Sequence, residues 1–503
     1  MPSVPPRSHP SAIRRRAGPD TIPAVLTSPW PTTPATDAER DAYRDAVPRP
    51  FWLDRRENPA TYPALSGAVD AGLCIVGGGF TGLWAAIHAK TRTPDRDVVL
   101  LEADRIGSGA TGRNGGFLSA SITHGIGNGV SHFPDEIETL ERLGLENFEE
   151  LRSDLDRLGI ACDFEDNGEF AVALEPHQVE PLKEEAELLA RYGHRVELLD
   201  RDRVRAEVDS PTYLAALWDR TGSAIVDPAK LADGLAVAAS RLGVAIHERT
   251  SATRIDGPSV GGAVRITTGT GGEVRAGRAL LATSACPPLR RSLRRYIVPV
   301  YDYVLVTEPL SAEQLAAIGW RNRQGISDTG NQFHYYRLTD DDRILWGGFE
   351  AVYRFGGPVE SRYDVDEGTF AALSQHFFAT FPQLRGVRFS HKWGGAIDTS
   401  SRFSCFFELS HGGRVAFAGG YTGLGVGSSR FGAATALDLL DGRRTEATAL
   451  RYVRTKPVPF PPEPLRWAIV QFTRNRLAAA DRDSGRMGLW LRTLDRLGLG
   501  FDS

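Results

Sequence analysis

The chain has 503 residues, of which 41% are hydrophobic and 24% are charged, a balance typical of a folded globular protein and not of a disordered chain. Lys and Arg number 59 against 63 Asp and Glu, which gives a formal net charge of −4. A near-neutral chain has no overall electrostatic field for DNA or RNA, so no nucleic-acid partner is expected. No apolar run approaches the ~18 residues that span a bilayer, so no transmembrane segment is expected.

The four cysteines are scattered through the chain, at Cys74, Cys162, Cys286 and Cys405. They form no Cys-x-x-Cys pair, which argues against a zinc site and against a fold built on disulfides. This pattern is typical of a reducing compartment, so we expect a cytoplasmic protein without a bound metal.

Two segments precede the first clear element. Residues 1–47 are rich in Pro, Ser, Thr and Ala without sustained periodicity. They predict a disordered or loosely attached arm, because such a segment buries too little apolar surface to offset its ordering entropy. Residues 48–69 include Phe51 and Trp52 and are expected to lie as a strap on the surface of the first domain.

A β-α-β unit follows. Residues 73–76, Leu-Cys-Ile-Val, end in three glycines, as a buried parallel strand does. A helix is predicted over 80–91, and a second strand over 98–101 ends at Glu102. The turn between the first strand and the helix has the pattern G-x-G-x-x-G.

This glycine pattern predicts a dinucleotide site. The first glycine allows a tight turn, the second lets the backbone approach a pyrophosphate, and the third lets helix and strand pack closely. The helix N-terminus attracts phosphates, and an acid twenty residues after the last glycine accepts hydrogen bonds from the ribose. The residues predicted to bind the dinucleotide here are Gly77, Gly79, Phe80, Thr81, Gly82 and Glu102. A glycine turn beside a surface glutamate is the alternative.

A second glycine-dense stretch lies at 107–116, with one arginine and several hydroxyl side chains among its glycines. Such a stretch is entropically costly to order without a ligand, and it predicts a loop that wraps a second phosphate or the isoalloxazine ring of a flavin. A flexible surface loop is the alternative. The predicted cofactor-binding residues in this loop are Gly109, Ala110, Thr111, Arg113, Asn114, Gly115 and Gly116.

Helices and strands then alternate along the chain. Apolar residues at helical spacing predict amphipathic helices over 137–158 and 181–192. Strands are predicted over 170–174, 263–268, 279–283, 300–306, 343–349 and 414–418. A β-α-β unit followed by many separate strands predicts the α/β class, with a Rossmann-type nucleotide-binding domain interleaved with an antiparallel-sheet α+β domain.

The segment Phe-His-Tyr-Tyr-Arg at 333–337 is expected just before a strand. Tyr335, Tyr336 and Arg337 form a candidate substrate slot, in which the arginine fork binds a carboxylate. Ordinary cross-strand aromatic pairs are the alternative for the two tyrosines.

A third glycine cluster follows the strand at 414–418 and opens a helix that runs to about Leu440. It directs a helix N-terminus at an electron-rich group, such as the N1–C2=O edge of a reduced flavin. Its predicted cofactor-binding residues are Gly420, Thr422, Gly423, Leu424 and Gly425. One nucleotide motif with two accessory glycine loops favours FAD over NAD, and an organic substrate as the direct source of electrons.

The C-terminal residues 446–503 differ in composition from the rest. A Pro-rich spacer at 456–464 precedes a stretch with helical spacing at 465–480, and ten Arg or Lys against six Asp or Glu give a net charge of +4. A basic amphipathic helix can contact a membrane surface or a partner. We favour the alternative, a helix packed on its own protein with solvated arginines.

On these motifs the chain resembles the D-amino-acid-oxidase-type FAD-dependent oxidoreductases, and within them the γ-glutamylputrescine-oxidase-like branch. The resemblance runs from Phe51 to Leu440, and its further landmarks are Ile-Val-Asp-Pro at 225–228, Ala-Thr-Ser at 282–284 and Trp-Gly-Gly at 393–395. The chain departs from the family at Leu424, where a histidine between glycines is frequent, and at Ser404, where a proline is usual. Cys405 does not align with the flavin-linking cysteine of sarcosine-type relatives, so non-covalent FAD is implied.

The resemblance implies an enzyme that oxidises the carbon next to an amine by hydride transfer to flavin N5, with hydrolysis of the imine and reoxidation of the flavin by O₂. The expected substrates are γ-glutamylated amines, polyamines or amino acids. His124 beside the flavin and Lys392 as the cation for oxygen activation are further candidates. A structural histidine and a solvated lysine at a strand end are their alternatives.

Two other functions remain open. One is a dehydrogenase that passes electrons to a membrane quinone, with the basic tail as its docking element. The other is a flavin-binding interaction protein without turnover. The predicted organisation is an arm at 1–47, a strap at 48–69, an FAD-binding domain at 70–135, 223–295 and 391–445, a substrate domain at 136–222 and 296–390, and a basic extension at 446–503.

Overall fold

The structure is a computed structural model that describes residues 30–31, 33–258, 262–496 and 498–499. The strands of these residues are β1 Ala68–Val76, β2 Val98–Leu101, β3 Phe117–Ser119, β4 Glu169–Ala173, β5 Val196–Leu199, β6 Ala215–Asp219, β7 Ser223–Ile225, β8 Ala245–His247, β9 Ala252–Asp256, β10 Val264–Thr268, β11 Glu273–Leu281, β12 Val298–Thr307, β13 Gly325–Asp328, β14 His334–Leu338, β15 Ile344–Gly348, β16 Val352–Tyr353, β17 Phe389–Thr399, β18 Phe406–Ser410 and β19 Val415–Gly419. The helices are α1 Asp37–Arg44, α2 Phe51–Asp54, α3 Phe80–Arg92, α4 Ile126–His132, α5 Ile137–Leu158, α6 Val179–Arg191, α7 Arg201–Glu207, α8 Pro228–Arg241, α9 Ala312–Ile318, α10 Glu367–Thr380, α11 Gly425–Asp441, α12 Glu446–Ala449, α13 Arg451–Arg454, α14 Leu465–Arg482 and α15 Leu489–Arg496.

The first large sheet has a parallel centre in the order β19-β11-β1-β2-β8, with β18 antiparallel at one edge. Its central strands are buried on both faces: all four residues of β2 and the last four of β1 are buried, as expected for a parallel sheet covered by helices. Helices α3, α8 and α11 pack together on one face. The large apolar cluster between these helices and the sheet is the core of this half.

The second large sheet has the order β16-β12-β15-β14-β13-β4-β6-β5, with β17 also paired to β12. It is antiparallel except for the parallel pair of β4 and β13. Helix α10 covers one of its faces over an aromatic cluster. Strands of the two sheets alternate along the chain, and the predicted fold class, a Rossmann-type unit interleaved with an antiparallel-sheet unit, is confirmed.

Several predicted elements match the structure closely. The strand at 98–101 and the helix at 137–158 have the predicted ends, and the first glycine-rich helix begins at Phe80 as predicted. The segment 333–337 was expected just before a strand, but it largely coincides with a strand itself, β14. Its aromatic residues pair with β15 on one side and with β13 on the other.

The expectation of a disordered arm over 1–47 is wrong for its described part from residue 33 onward; residues 1–29 and 32 lie outside the described residues. Thr36 and Glu39 form a capping box at the start of α1, and Tyr43 is buried beside Phe370 of α10. The capping hydrogen bonds and the buried aromatic side chain offset the ordering entropy of this segment. The composition of the segment does not reveal these two contributions.

The expectation of a surface strap over 48–69 is also wrong at its start. Phe51 is fully buried and Trp52 is 2% exposed, in a cluster with Val304, Leu345 and Trp393. These two aromatic side chains therefore lie in a buried core that they share with strands of the antiparallel sheet. In the part of the chain that the structure describes, no helix is long and apolar enough to cross a bilayer.

Candidate active site

The turn between β1 and α3 is shaped by contacts that only glycine permits. Gly77 has φ +116°, and a Cβ on it would lie 2.3 Å from the carbonyl oxygen of Ala282. A Cβ on Gly82 would lie 1.9 Å from the carbonyl oxygen of Gly77. The turn therefore brings the N-terminus of α3 close to the end of β1, and Gly79 caps that helix without a side-chain hydrogen bond.

Glu102 lies directly after β2, beside this turn. Its Oε2 accepts a hydrogen bond from the N–H of Gly78 at 2.7 Å, and its Oε1 accepts one from Asp104 at 2.9 Å. Burial raises the pKa of the Glu102 carboxyl. We call the turn from Gly77 to Gly82, with Glu102, the dinucleotide cradle; it has the helix N-terminus and the acid that such a site requires.

The predicted loop at 109–116 closes on itself and on the cradle. The Asn114 side chain donates to the carbonyls of Ala110 and Thr111 and accepts from the N–H of Gly116 at 2.8 Å. Thr111 Oγ1 accepts the N–H of Phe80, the first residue of α3, at 3.1 Å. The loop is thus an ordered wall next to the helix N-terminus and not a flexible surface loop.

Two tryptophans fix the backbone of this loop. Trp52 Nε1 donates to the carbonyl oxygen of Asn114, and Trp393 Nε1 donates to that of Arg113, both at 2.9 Å. The Arg113 guanidinium pairs with Asp364 at 2.7 Å and donates to the carbonyl of Gly394 at 3.0 Å. Arg113 therefore ties the loop to the antiparallel sheet, and contact with a phosphate stays a prediction.

The late glycine turn is braced by an acid that sequence reasoning missed. Asp398 on β17 is 4% exposed, and its Oδ2 accepts the N–H of Gly420 at 2.7 Å. Burial raises the pKa of Asp398 to about 6, although the hydrogen bond from the N–H of Gly420 lowers it. Thr422 has φ +53° and donates through Oγ1 to the carbonyl of Gly420.

The late turn also contacts the cradle directly. Thr81 of α3 donates through Oγ1 to the hydroxyl of Tyr421 at 2.9 Å, and Leu424 is the N-cap of α11. Gly423 is exposed, and a Cβ on it would meet nothing within 4 Å. The three predicted glycine segments therefore lie together, with an open position at the start of α11.

One face of the antiparallel sheet is directed at these glycine segments. Tyr335 on β14 lies against Gly115, whose Cβ position is 2.6 Å from the ring. The Tyr335 hydroxyl donates to Asp302 on β12, whose carboxylate also accepts the N–H of Tyr303. Burial raises the pKa of Asp302 to about 6. We call this side of the sheet the cleft face.

The expected slot between two tyrosines is wrong, because neighbouring residues of a strand point to opposite faces. Tyr336 is fully buried on the other face, where its hydroxyl contacts the hydroxyl of Tyr213 at 2.8 Å and donates to Asp328 at 3.2 Å. Of the two tyrosines, Tyr335 alone belongs to the cleft face.

The expectation that Arg337 binds a substrate carboxylate is also wrong. Arg337 is 1% exposed, donates to the carbonyl of Val226 at 2.6 Å, and lies 5.3 Å from the ring of Trp52. Its guanidinium is 2.7 Å from the Cβ position of Gly116, and burial lowers its pKa to about 10. Arg337 therefore packs against Gly116, at the end of the loop at 109–116.

Lys392 does not face the cleft, so its expected role in oxygen activation is wrong. On β17 it alternates with Trp393, which faces the loop at 109–116. The Lys392 ammonium pairs with Glu367 of α10 at 3.2 Å and lies over the rings of Tyr43 and Phe370. It is a structural cation of the opposite face.

His124 lies in the loop after β3 with φ +64°, and its ring is 5.8 Å from that of Phe403. Its Nδ1 is buried and makes no hydrogen bond within the described residues. Burial lowers the pKa of the imidazole to about 4, so the ring is neutral at pH 7. A role beside the cofactor stays a prediction for this residue.

Four of these side chains share one environment. Each keeps solvent-accessible surface and is nevertheless densely surrounded by protein, as on the wall of an internal cleft; they are Glu102, His124, Asp302 and Tyr335. Glu102 belongs to the dinucleotide cradle, whereas Asp302 and Tyr335 belong to the cleft face, so side chains with partly accessible surface are found in both regions. The glycine turn that excludes a Cβ, the N-terminus of α3 and the acid beside it fit the adenine-dinucleotide part of FAD.

Sequence reasoning missed Trp52, Trp393, Asp302 and Asp398. The tryptophans had a signal, since a buried indole N–H needs an acceptor and the glycine loop offers free carbonyls. The two acids had none, because their partners are the hydroxyl of Tyr335 and the N–H of Gly420, far away in the chain.

Comparison with known proteins agrees with this geometry. The family model described as FAD dependent oxidoreductase (DAO) matches residues 73–439. The chain is 33% identical over 406 residues to gamma-glutamylputrescine oxidoreductase of Escherichia coli K12. The aligned region covers 80% of this chain and 90% of that protein. It is 28% identical over 397 residues to a probable oxidoreductase, OrdL, of Haemophilus influenzae, with 76% and 86% covered.

Solved structures share the fold. Glycine oxidase of Geobacillus kaustophilus superimposes with a TM-score of 0.66 at 18% identity, over 77% of this chain and 99% of that one. L-proline dehydrogenase of P. horikoshii does so with a TM-score of 0.61 at 18% identity, over 76% and 95%. The fold of this chain is therefore shared with these two proteins.

Proposed function

The chain belongs to the DAO family of FAD-dependent oxidoreductases, and from this premise we propose that it oxidises the carbon next to the terminal nitrogen of an elongated amine, such as a γ-glutamylated diamine or a polyamine. FAD is its cofactor, and it acts on amines or amino acids. The proposal is supported by the 33% identity to gamma-glutamylputrescine oxidoreductase over most of both chains. The structural observation that supports the proposal is the hydrogen bond from the Tyr335 hydroxyl to Asp302 on the cleft face.

The residues that would hold FAD are those of the three glycine segments. The cradle with Glu102 suits the adenosine and pyrophosphate, and the loop at 109–116 with the start of α11 suits the flavin end. Bound FAD supplies a two-electron acceptor for the hydride that leaves the substrate carbon. Cys405 is buried in the apolar core, and burial raises its thiol pKa to about 12. We therefore propose that FAD is held without a covalent bond.

Tyr335 and Asp302 would prepare the amine for oxidation. The tyrosine hydroxyl donates to Asp302, so its oxygen is left to accept a hydrogen bond from the substrate ammonium. A proton then passes from the ammonium to the tyrosine oxygen while the tyrosine proton passes to Asp302. Because the pKa of Asp302 is about 6, the carboxylate is ionised and ready to accept this proton at pH 7. The imine product leaves for hydrolysis to a carbonyl compound.

The acceptor that we propose is O₂. A quinone is the second candidate, and one observation favours it: α14 exposes Leu465, Trp467 and Phe472 in a segment of positive net charge. The same helix is held on its own protein, since Asp481 accepts three hydrogen bonds from Asn331 and Gln332. Tail deletion that abolishes quinone reduction but leaves peroxide formation intact would favour the quinone.

An anaerobic titration tests the proposal. Purified holoprotein is mixed with 1,8-diaminooctane, spermidine, γ-glutamylputrescine and glycine, and the flavin absorbance near 450 nm is followed. We expect bleaching by the elongated amines and recovery of the absorbance with peroxide release when air is admitted. A yellow protein that no amine in this panel bleaches would overturn the proposal.

A further inference from the structure

The C-terminal extension carries more than half of the exposed large apolar side chains. Nine such side chains are exposed in the part of the chain that the structure describes, and five of them follow residue 446. They are Val458, Leu465, Trp467, Phe472 and Leu489, the last of which is 84% exposed. Because the family model ends at residue 439, this surface lies outside the region that the chain shares with its family.

Helix α14 is anchored to the antiparallel-sheet unit by one of its sides. Gln471 donates to the carbonyl oxygen of Tyr353 on β16 at 3.0 Å, and Asp481 accepts the N–H of Asn331 at 3.1 Å. The two anchors are ten residues apart in sequence, which places them within roughly a quarter-turn of each other around the helix. This side of α14 is therefore occupied by its own protein.

Another side of α14 is apolar and exposed. Leu465, Ala468 and Phe472 occupy positions i, i+3 and i+7, which share one face of a helix, and all three are exposed. Helix α15 extends this surface, since the ring of Phe472 lies 5.3 Å from that of Trp490, the sequence neighbour of Leu489. An exposed apolar patch of this kind commonly marks a contact surface.

The same surface is basic. Leu489 precedes Arg492 and Arg496 by three and seven residues, so these side chains share one face of α15. The guanidinium of Arg476 lies 5.4 Å from the ring centre of Phe472. Within the described residues, these three arginines make no ion pair. We call this surface the tail face; it is formed by Leu465, Phe472, Arg476, Leu489, Arg492 and Arg496.

Charge and side-chain chemistry together identify what the tail face binds. Aromatic and aliphatic side chains flanked by arginines are typical of helices that lie in a bilayer interface, where the apolar groups enter the acyl boundary and the arginines attract anionic headgroups. A second copy of the chain is a poorer fit, because a twofold-symmetric contact would bring the same unpaired arginines together. We propose that the tail face docks the protein on an anionic lipid bilayer, with α14 and α15 lying along its surface.

Vesicle sedimentation of the holoprotein tests this proposal. The protein is mixed with sucrose-loaded vesicles of phosphatidylcholine alone, or of phosphatidylcholine and phosphatidylglycerol at about 7:3, and the pelleted protein is measured. We expect binding to the anionic vesicles that weakens as the salt concentration rises, because salt screens the arginines. Binding to the neutral vesicles should be about 10-fold weaker.

Two variants test the apolar and the charged contributions. Leu489→Asp should lower the affinity for anionic vesicles about 10-fold, the factor expected when one leucine side chain is no longer buried. Arg492→Gln should lower it about fivefold and make it less sensitive to salt. Leu198→Asp and Arg362→Gln are matched controls at exposed positions outside the extension, and they should leave vesicle binding unchanged. The FAD content should be unchanged in all four variants, which shows that each retains the fold.

Sedimentation velocity of the same proteins without vesicles completes the test. Failure of the wild type to bind anionic vesicles, or equal binding to neutral ones, would overturn the proposal. Binding that Leu489→Asp and Arg492→Gln retain, or that the controls lose as well, would also overturn it. A dimer that Leu489→Asp dissociates, in a protein that binds no vesicles, would assign the tail face to a second copy of the chain. None of these outcomes depends on whether an amine reduces the flavin, so the proposed function is tested separately.

Discussion

The dinucleotide cradle takes its shape from the backbone around Gly77 and Gly82, whereas the cleft face takes its chemistry from side chains on strands far apart in the chain. In the cradle, carbonyl oxygens lie within 2.3 Å of where a Cβ would be. On the cleft face, Asp302 and Tyr335, 33 residues apart, meet through the pairing of β12 with β15 and of β15 with β14. The first site depends on the absence of side chains and the second on their exact identity.

This difference sets how each region responds to mutation. A substitution in the cradle acts by steric exclusion, so it should abolish binding of the cofactor as a whole. A substitution on the cleft face removes one hydrogen bond or one charge, so it should change a rate or an affinity by a limited factor. The two regions can therefore be distinguished by the form of the loss as well as by its size.

The largest effect is expected for Gly82→Ala. The new Cβ would lie 1.9 Å from the carbonyl oxygen of Gly77 and 3.3 Å from Ile75, so α3 cannot stay against the end of β1. We expect a protein that purifies colourless, measured as the ratio of absorbance near 450 nm to that at 280 nm. Gly127→Ala on α4 is the matched control, because this glycine is exposed and a Cβ there meets nothing within 4 Å. Stoichiometric FAD in Gly82→Ala would refute the steric explanation.

The cradle was also the region that could be predicted best from sequence. Its strand, turn and helix are contiguous, so residue types at fixed spacing predicted the β2 and α3 positions and the acid at Glu102. On the cleft face the strand register decides what meets, and no local pattern records register. For this reason Tyr335 was recognised, while Asp302 was not.

The errors in prediction have the same origin. Tyr336 and Lys392 were assigned to the site because they adjoin residues that do face it, Tyr335 and Trp393. Once both segments are strands, alternation sends the two neighbours to the opposite face. Composition likewise missed α1, since one buried tyrosine and a capping box do not change the average of a Pro-rich segment.

The next largest effect is expected for Tyr335→Phe, which tests the cleft face by a single hydroxyl. Loss of the hydrogen bond to Asp302 should lower the limiting rate of flavin reduction about 10- to 100-fold, in the range for general acid–base groups, with FAD content unchanged. Tyr336→Phe is the matched control: it removes a hydroxyl from the opposite face and should change the rate less than twofold. Equal losses in both variants would contradict the assignment of faces.

A smaller effect, on stability, is expected from His194 next to the cleft face. Burial disfavours its charged form, but Asp219 and Glu141 outweigh burial and raise its pKa to about 9. Because the folded pKa lies above the unfolded value of about 6.5, this stabilisation is complete below pH 6.5 and is lost as the pH rises to 9. The shift corresponds to at most about 3 kcal/mol. The free energy of unfolding of His194→Asn, measured with urea, should fall less between pH 6.5 and 9 than that of the wild type. An equal fall in both proteins would show that protonated His194 does not stabilise the fold.

The smallest effect is expected for Lys392→Met, which tests whether a residue that adjoins Trp393 in sequence also faces the cleft. The ammonium pairs with an exposed carboxylate, Glu367, and covers two aromatic rings, so a long apolar side chain should keep most of the packing. Reoxidation of reduced flavin by O₂, followed by stopped-flow, should change less than twofold, because a cation must be close to the flavin to stabilise charge that develops on oxygen. The neighbouring Trp393→Phe, which removes the hydrogen bond to the Arg113 carbonyl, should weaken FAD binding instead. A tenfold fall in the rate of flavin reoxidation by O₂ in Lys392→Met would mean that Lys392 faces the cleft. The assignment of side chains to the two faces of the antiparallel sheet, on which the roles above depend, would then be wrong.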